Sequence, residues 1–283
     1  MIAKHRVLVL LVAALCLAAC SVSRLAYLNA PPLATWYIGT YVNMTDAQKT
    51  FVRERLTRAI AWHRQAELPQ YQHSIEALIS KVDIKVSNED ARATYGQARD
   101  FYHRSVEHLL PDLADFVLTL DEAQIAQIER KLADDNKKMV KESLQDSADE
   151  RRTKRAKKFV TQFEDWTGPL SGPQRGIVAN GTRNLSDNTD ERIADRHYRE
   201  SEIVALIRSH ATRDQAVAKL RTLLIDTESW RRPEYTRKLR ERDERLIEVV
   251  SELSSTLTPE QRASVQRRMR GYVKDISAIV ASR

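Results

Sequence analysis

The chain has 283 residues, with 46 Lys and Arg against 39 Asp and Glu, a formal net charge of +7. Two cysteines cannot build a disulfide scaffold, so stability must come from a hydrophobic core, which this length allows in one domain or two. Seven glycines, eight prolines and no run of alternating apolar and polar residues argue against a β-sheet protein.

The first nineteen residues have the pattern of a secretory signal peptide. Lys4 and Arg6 precede an apolar run, Val7 to Ala19, that is too short to span a bilayer as a helix. The run ends Leu17-Ala18-Ala19-Cys20, which resembles the bacterial lipoprotein signal, a leucine and two small residues before a cysteine. This resemblance implies cleavage after residue 19 and attachment of diacylglycerol and an N-acyl chain, such as palmitate, to Cys20.

The same resemblance predicts where the mature protein lies. Ser21 follows the cysteine, whereas aspartate there is the common signal for retention in the inner membrane, so an outer-membrane anchor facing the periplasm is expected. Cys16 would leave with the signal and Cys20 would carry lipid, which leaves no thiol for a disulfide. In that compartment a basic protein meets anionic lipid, lipopolysaccharide phosphate and acidic protein segments, and we expect no nucleic-acid partner.

Residues 20–43 form the predicted lipid anchor and aromatic N-terminal segment. No Ser/Gly-rich tether separates Cys20 from Leu25-Ala26-Tyr27-Leu28, so the folded body is expected close to the bilayer. Two interpretations are open for Trp36, Tyr37 and Tyr41. The rings can rest at the lipid–water boundary, or they can pack the segment onto the helices as core residues, which is the interpretation we favour.

From residue 44 onward, apolar residues recur at helical steps of three and four. The pattern predicts an all-α fold of long antiparallel helices. Residues 121–163 contain no glycine or proline and predict one continuous helix, roughly 65 Å long at 1.5 Å per residue. Pro111 is expected to kink the helix that contains it. The predicted helices cover residues 45–67, 88–119, 121–163, 190–209, 213–229, 234–255 and 259–281.

Four helix starts share one pattern. In each, an N-cap residue stands three positions before a glutamine, the spacing of a capping box, and an inward apolar stripe follows. The spacings of 76, 50 and 87 residues suggest two related halves, 44–168 and 169–283, joined near Gly168–Pro173. The four starts are Thr45 with Gln48, Asp121 with Gln124, Ser171 with Gln174, and Thr258 with Gln261.

The last start, Leu257-Thr258-Pro259-Glu260-Gln261, resembles the LTxxQ motif of the Spy/CpxP-type periplasmic proteins. Those are small all-helical proteins with two motifs each, dimers with a concave face, which act in envelope stress as ATP-independent chaperones or as a sensor's inhibitor. The resemblance implies that one chain with four copies mimics such a dimer covalently. Ordinary helix capping is the alternative explanation of the repeat.

A second resemblance covers most of the chain. Several segments make the chain similar to an uncharacterised family of proteobacterial lipoproteins, which supports the lipid anchor and the all-α fold and implies no activity. The segments are Cys20–Tyr27, Trp36–Tyr41, Ala61–Arg64, Glu67–Tyr71, and Trp230 before Pro233 and Tyr235.

A basic cluster follows an acidic stretch within residues 121–163. One interpretation is a solvated helix with charge pairs three or four residues apart, each contributing a few tenths of a kcal/mol. The other is a patch that attracts an anionic partner with a salt-sensitive on-rate. The cluster consists of Arg151, Arg152, Lys154, Arg155, Lys157 and Lys158.

No pattern predicts an enzyme. Asp100 and His103 form one acid–histidine step on a helix, but a metal site needs a second step, which is missing. His63 and Glu67 are expected to make a surface or boundary contact. No phosphate-binding loop, nucleophile elbow or HExxH motif occurs. We therefore predict no catalytic residue, metal or cofactor beyond the lipid; the other mature histidines are His73, His108, His197 and His210.

The sequence thus predicts an outer-membrane lipoprotein whose periplasmic body binds other proteins. The leading hypothesis is a Spy-like chaperone that holds partly unfolded clients without ATP, which requires a concave and partly apolar face. The alternative is a structural or assembly lipoprotein that docks one envelope partner through an apolar groove, or an anionic membrane surface.

Overall fold

A computed structural model describes residues 24–282. In that range the chain forms eleven α-helices and no strand, which confirms the predicted all-α class. A π-helical turn, His63–Glu67, joins α2 to α3, and a 3₁₀ turn, Thr227–Ser229, follows α9. The helices are α1 Ala30–Gly39, α2 Asp46–Trp62, α3 Leu68–Ile84, α4 Asn88–Val117, α5 Glu122–Leu144, α6 Ala148–Thr167, α7 Gly172–Arg183, α8 Thr189–Arg208, α9 Arg213–Leu224, α10 Pro233–Thr256 and α11 Pro259–Ala281.

The continuous helix predicted over residues 121–163 is wrong, because the chain breaks between α5 and α6. The side chain of Ser147 accepts the amide of Glu150, whose carboxylate accepts the Ser147 amide in turn over 2.8 Å. This S-x-x-E capping box starts a new helix without any glycine or proline. Proline often ends a helix, but Pro111 lies inside α4, which continues through it.

Apolar side chains form one core between α4, α5, α8 and α9 and another between α6, α7 and α10, with α3 and α11 packed beside the second. Ala114 and Leu220 lie at the first core, and Val178 and Val249 at the second. Helix α3 packs along α11, while α8 and α9 pack against α5 and α4. Helices from both sides of residue 168 therefore share cores, so the proposed halves describe a sequence repeat rather than two separately packed bodies.

Gly181 of α7 has no room for a side chain. A Cβ atom there would lie 2.2 Å from Cγ2 of Val249, which is 0% exposed. We expect Gly181→Ala to lower the free energy of unfolding by about 1–3 kcal/mol, because the core becomes overpacked. Urea denaturation measures the loss. Gly176→Ala on the same helix is the control: a Cβ atom there would have nothing within 4 Å, so the substitution should not destabilise the protein. Equal losses of stability in the two variants would contradict tight packing at Gly181.

Candidate functional site

The repeated helix starts meet in space as pairs of glutamines. In the first pair, the buried Gln48 and Gln124 each donate from Nε2 to the other's Oε1, over 3.1 and 2.7 Å. Each Oε1 also accepts the amide of its own N-cap residue, at 2.9 and 3.2 Å. Each Nε2 also donates to the carbonyl two residues before the partner's N-cap, Thr119 at 3.1 Å and Asn43 at 2.9 Å.

The second pair repeats the first. Gln174 and Gln261 exchange amide bonds of 2.8 and 2.9 Å, and their Oε1 atoms accept their N-cap amides at 2.9 and 3.0 Å. Their Nε2 atoms donate to the carbonyls of Thr256 and Pro169, both at 2.9 Å and both two residues before the partner's N-cap. Every donor and acceptor of the four buried side-chain amides is therefore used.

A further capping box shows that the cap alone does not produce this pairing. Thr212 and Gln215, at the start of α9, make both cap bonds. Gln215 is nevertheless exposed, and within residues 24–282 it has no glutamine partner. Pairing is thus a property of the four repeated starts that goes beyond helix capping.

The basic cluster of α6 is largely paired inside the protein. Lys157 and Lys158 are exposed and make no ion pair with any other described residue. An anionic partner would have to compete with the existing contacts, so the arrangement favours the solvated, internally paired helix. The contacts are Arg151 with Asp187 at 2.5 Å, Arg152 with Asp149 at 3.4 Å, Lys154 with Asp146 at 2.6 Å, and Arg155 with the Leu185 carbonyl at 2.5 Å.

The N-terminal helix presents a run of exposed apolar side chains. Trp36 is 69% exposed and Tyr37 57%, and Leu25, Leu28 and Leu33 are exposed as well. Asn29, with φ −101° and ψ 13°, separates the helical residues 24–28 from α1, but backbone bonds from Asn29 to Leu25 and from Leu33 to Asn29 keep the two stretches nearly in line. At about 100° per residue, positions 25, 28, 33 and 36 fall within about 140° of arc, so they share one face.

The expectation that the aromatic cluster packs in the core is therefore wrong for Trp36 and Tyr37. Helix α1 buries only Pro31 and Thr35, on the face that packs against α2. Tyr41 is half-buried and donates to Asp135 of α5 over 3.0 Å. A short helix on the outside of the bundle has just one face to bury, and its largest rings lie on the other.

Two cations lie beside Trp36, at one end of this exposed face. A shallow pocket between α1 and α2 is lined by Trp36 and Met44 together with Lys49 and Arg53. Exposed rings and aliphatic side chains with lysine and arginine beside them suit a bilayer interface, where the apolar groups enter the acyl boundary and the cations stay among the phosphates. Among residues 24–282, no helix combines the length and apolarity needed to cross a membrane.

A chain of polar contacts fastens the segment before α1 to the body. The Tyr27 hydroxyl donates to the carbonyl of Ile60 over 3.3 Å and lies 3.0 Å from Nδ1 of His63. On the other side of the ring, Nε2 lies 3.2 Å from the Tyr71 hydroxyl. Burial raises the pKa of Tyr27 and lowers the pKa of His63. A neutral His63 with its proton on Nδ1 donates to Tyr27 and accepts from Tyr71, which satisfies both nitrogens.

The π-helical turn that His63 begins ends at an ion pair whose carboxylate is buried and whose guanidinium is partly exposed. Glu67 is 2% exposed, and its two oxygens accept from Nε and Nη2 of Arg104 at 2.9 and 2.8 Å. The expectation of a surface or boundary contact between His63 and Glu67 is therefore wrong for Glu67, which is buried and bound to α4. Sequence analysis missed Arg104, because nothing local links residues 37 positions apart.

Acidification is expected to weaken the attachment of α1. Because burial lowers the pKa of His63 below 6.5, the unfolded chain binds a proton more readily than the folded one. The stability that neutral His63 provides is therefore complete above about pH 6.5 and is lost as the pH falls below it. Thermal unfolding between about pH 7.5 and 5.5 should show a smaller loss of Tm in His63→Gln than in the wild type. His73 is exposed, so His73→Gln should lose as much Tm on acidification as the wild type does. An equal pH dependence of Tm in the wild type and both variants would contradict this role of His63.

Comparison with known proteins places the chain in a family. The model of DUF6279, a family of unknown function, matches residues 40–236 of the 283, more than half of the chain. The chain belongs to this family. No curated protein and no solved structure matches it.

The DUF6279 match confirms the expected membership in an uncharacterised family and spans α2 to the first turn of α10. It includes Gln48, Gln124 and Gln174, and also the His63–Glu67 turn with Arg104. Gln261, Tyr27 and all of α1 lie outside it. The predicted signal peptide of residues 1–19 and the predicted lipidation site Cys20 lie outside the described residues.

The remaining candidate residues do not converge. Among residues 24–282, no three or more His, Cys, Asp or Glu side chains are placed to hold a metal ion. Asp100 is exposed and His103 half-buried on α4, with no second acid–histidine step beside them in the described chain.

Proposed function

We propose that this protein is a lipid-anchored periplasmic lipoprotein of the outer membrane whose helical body lies on the bilayer through α1. The observation that carries the proposal is the exposed face of Leu25, Leu28, Leu33 and Trp36. Only four residues separate Cys20 from Leu25, so lipid on that cysteine would deliver this face directly to the membrane surface.

The energetics favour such a position. Full burial of a large apolar side chain contributes about 1.5–3 kcal/mol, so the four exposed side chains of this face together supply several kcal/mol. Lipidation plus an amphipathic surface also combines two membrane signals, which anchor more firmly than either one alone. The Tyr27–His63 contacts would hold the body in a fixed orientation against the anchor.

The described surface favours this structural role over the Spy-like chaperone. A chaperone that holds unfolded clients needs a contiguous apolar patch of several hundred Å². Apart from α1 and the residues before it, the exposed large apolar side chains are spread over five helices of the described chain. They are Ile84, Tyr95, Tyr102, Leu144, Tyr198, Tyr272 and Val280.

Vesicle binding tests the proposal. The lipid-free protein from residue 21 is sedimented with phosphatidylethanolamine–phosphatidylglycerol vesicles and compared with Trp36→Ser. We expect that substitution to weaken binding by about tenfold or more, because the indole leaves the interface. Ile84→Ser is the matched control, since Ile84 is 81% exposed but lies far along the chain on α3. Equal effects of the two substitutions would contradict a specific membrane face.

The chaperone alternative predicts a different result. If the body holds unfolded proteins, it should suppress light scattering from a denatured client without ATP, and the protection should weaken with salt. We expect no suppression. Suppression that Trp36→Ser leaves intact would favour the chaperone.

A further inference from the structure

An apolar cavity lies beside the second core, and no residue of α1 lines it. Its volume is about 440 Å³, and α3, α4, α6, α10 and α11 supply its walls. Val82, Phe163, Trp166, Val250 and Met269 are among the lining residues. The cavity reaches solvent beside Tyr95 and Ala98, the exposed members of its lining. Its volume lies in the range of about 300–1,000 Å³ that small-molecule sites occupy.

The hydroxyl protons that line the cavity are all donated to acceptors within the protein. Tyr95 donates to Asp243 over 2.6 Å, and Ser254 donates to the Val86 carbonyl over 3.0 Å. Thr94 and Thr167 donate to the carbonyls one helical turn before them, at 2.8 and 3.0 Å. No lining hydroxyl therefore has a spare proton for the carbonyl oxygen of a ligand.

This chemistry discriminates between possible occupants. A peptide segment would bring carbonyl groups into the cavity, where no free donor could satisfy them, at a substantial cost in free energy. The backbone of the surrounding helices is bonded within each helix. A hydrocarbon chain brings no polar group, and it fills space that otherwise lowers stability in proportion to its volume.

We propose that this cavity binds the single acyl chain of an amphiphile, with the head group outside, beside Tyr95 and Ala98. A fatty acid and a lysophospholipid share that chemistry. This proposal rests on the cavity and not on the membrane position of α1. Either the acyl-chain proposal or the membrane proposal can therefore fail without the other.

Displacement of a fluorescent fatty acid tests it. The full-length protein is titrated with cis-parinaric acid without membranes, and the probe is then displaced with palmitate or with lysophosphatidylethanolamine. We expect saturable binding with one probe per protein and displacement of the probe by at least one competitor. The competitor that displaces it more strongly shows whether the bound acyl chain belongs to a fatty acid or to a lysophospholipid. Bound ligand should also raise Tm.

Two variants locate the binding. Ala98→Trp places a ring in the mouth of the cavity, and Ala91→Phe fills its interior, so both should weaken binding by about tenfold or more. Ala93→Trp is the matched control, since Ala93 is exposed on the same helix and does not line the cavity. Trp36→Ser should bind the probe normally. Binding that Ala98→Trp and Ala91→Phe leave unchanged, or that only an apolar peptide displaces, would overturn the proposal.

Discussion

Arg104→Met should lower the free energy of unfolding by about 3–5 kcal/mol, the largest effect that we expect from a single substitution. The change leaves the carboxylate of Glu67, 2% exposed, without its bidentate partner, and an unpaired buried charge is costly. Equilibrium denaturation in urea measures the loss.

Two controls separate the buried charge from lost packing. Arg92→Met on the same helix breaks an exposed pair with Glu244 and should cost less than about 1 kcal/mol. Arg104→Met combined with Glu67→Leu removes both charges and should recover most of the loss, because no unpaired carboxylate then remains buried. If Arg104→Met and Arg92→Met cost the same, the buried pair does not hold the π-helical turn to α4.

Gln174→Leu should destabilise the protein by about 2–4 kcal/mol. The substitution removes a capping contact of about 1 kcal/mol and leaves buried polar atoms of Gln261 without partners, which costs about 1–3 kcal/mol more. Urea denaturation again measures the loss. Gln215→Leu is the matched control, since Gln215 caps α9 in the same way but is exposed, and it should cost only about 1 kcal/mol.

The double variant tests whether the two glutamines act as a pair. Gln174→Leu with Gln261→Leu should cost less than the sum of the two single changes, because the second substitution removes the groups that the first left unsatisfied. The same relation should hold for Gln48 and Gln124. Strictly additive losses would mean that the four starts are independent caps.

The helix starts were predictable because a capping box is a local pattern that three or four residues specify. The pairing of the starts was not, since it joins residues 76 and 87 positions apart. One local difference marks the paired starts: Met44, Leu120, Leu170 and Leu257 precede their caps, whereas Ala211 precedes the unpaired Thr212. A large apolar residue at that place draws the start into the core, where its glutamine needs a partner.

The predictions from sequence that were wrong concern features that depend on tertiary packing. The absence of glycine and proline predicted an unbroken helix through Ser147, but a serine three residues before a glutamate starts a helix equally well. Trp36 and Tyr37 were expected in the core because they are aromatic. Hydrophobicity predicts that a ring leaves water, not whether protein or lipid covers it. The cavity lined by five helices left no sequence signal that distinguishes it from ordinary core.

Fluorescence quenching of Trp36 tests the proposed membrane position most directly. The lipidated protein is reconstituted into vesicles whose acyl chains carry bromine, and the wild type is compared with Trp36→Phe, so that the difference reports this ring alone. We expect brominated chains to quench the Trp36 fluorescence that unbrominated vesicles preserve. Equal fluorescence in both kinds of vesicle would place Trp36 in water and contradict a body that rests on the bilayer through α1.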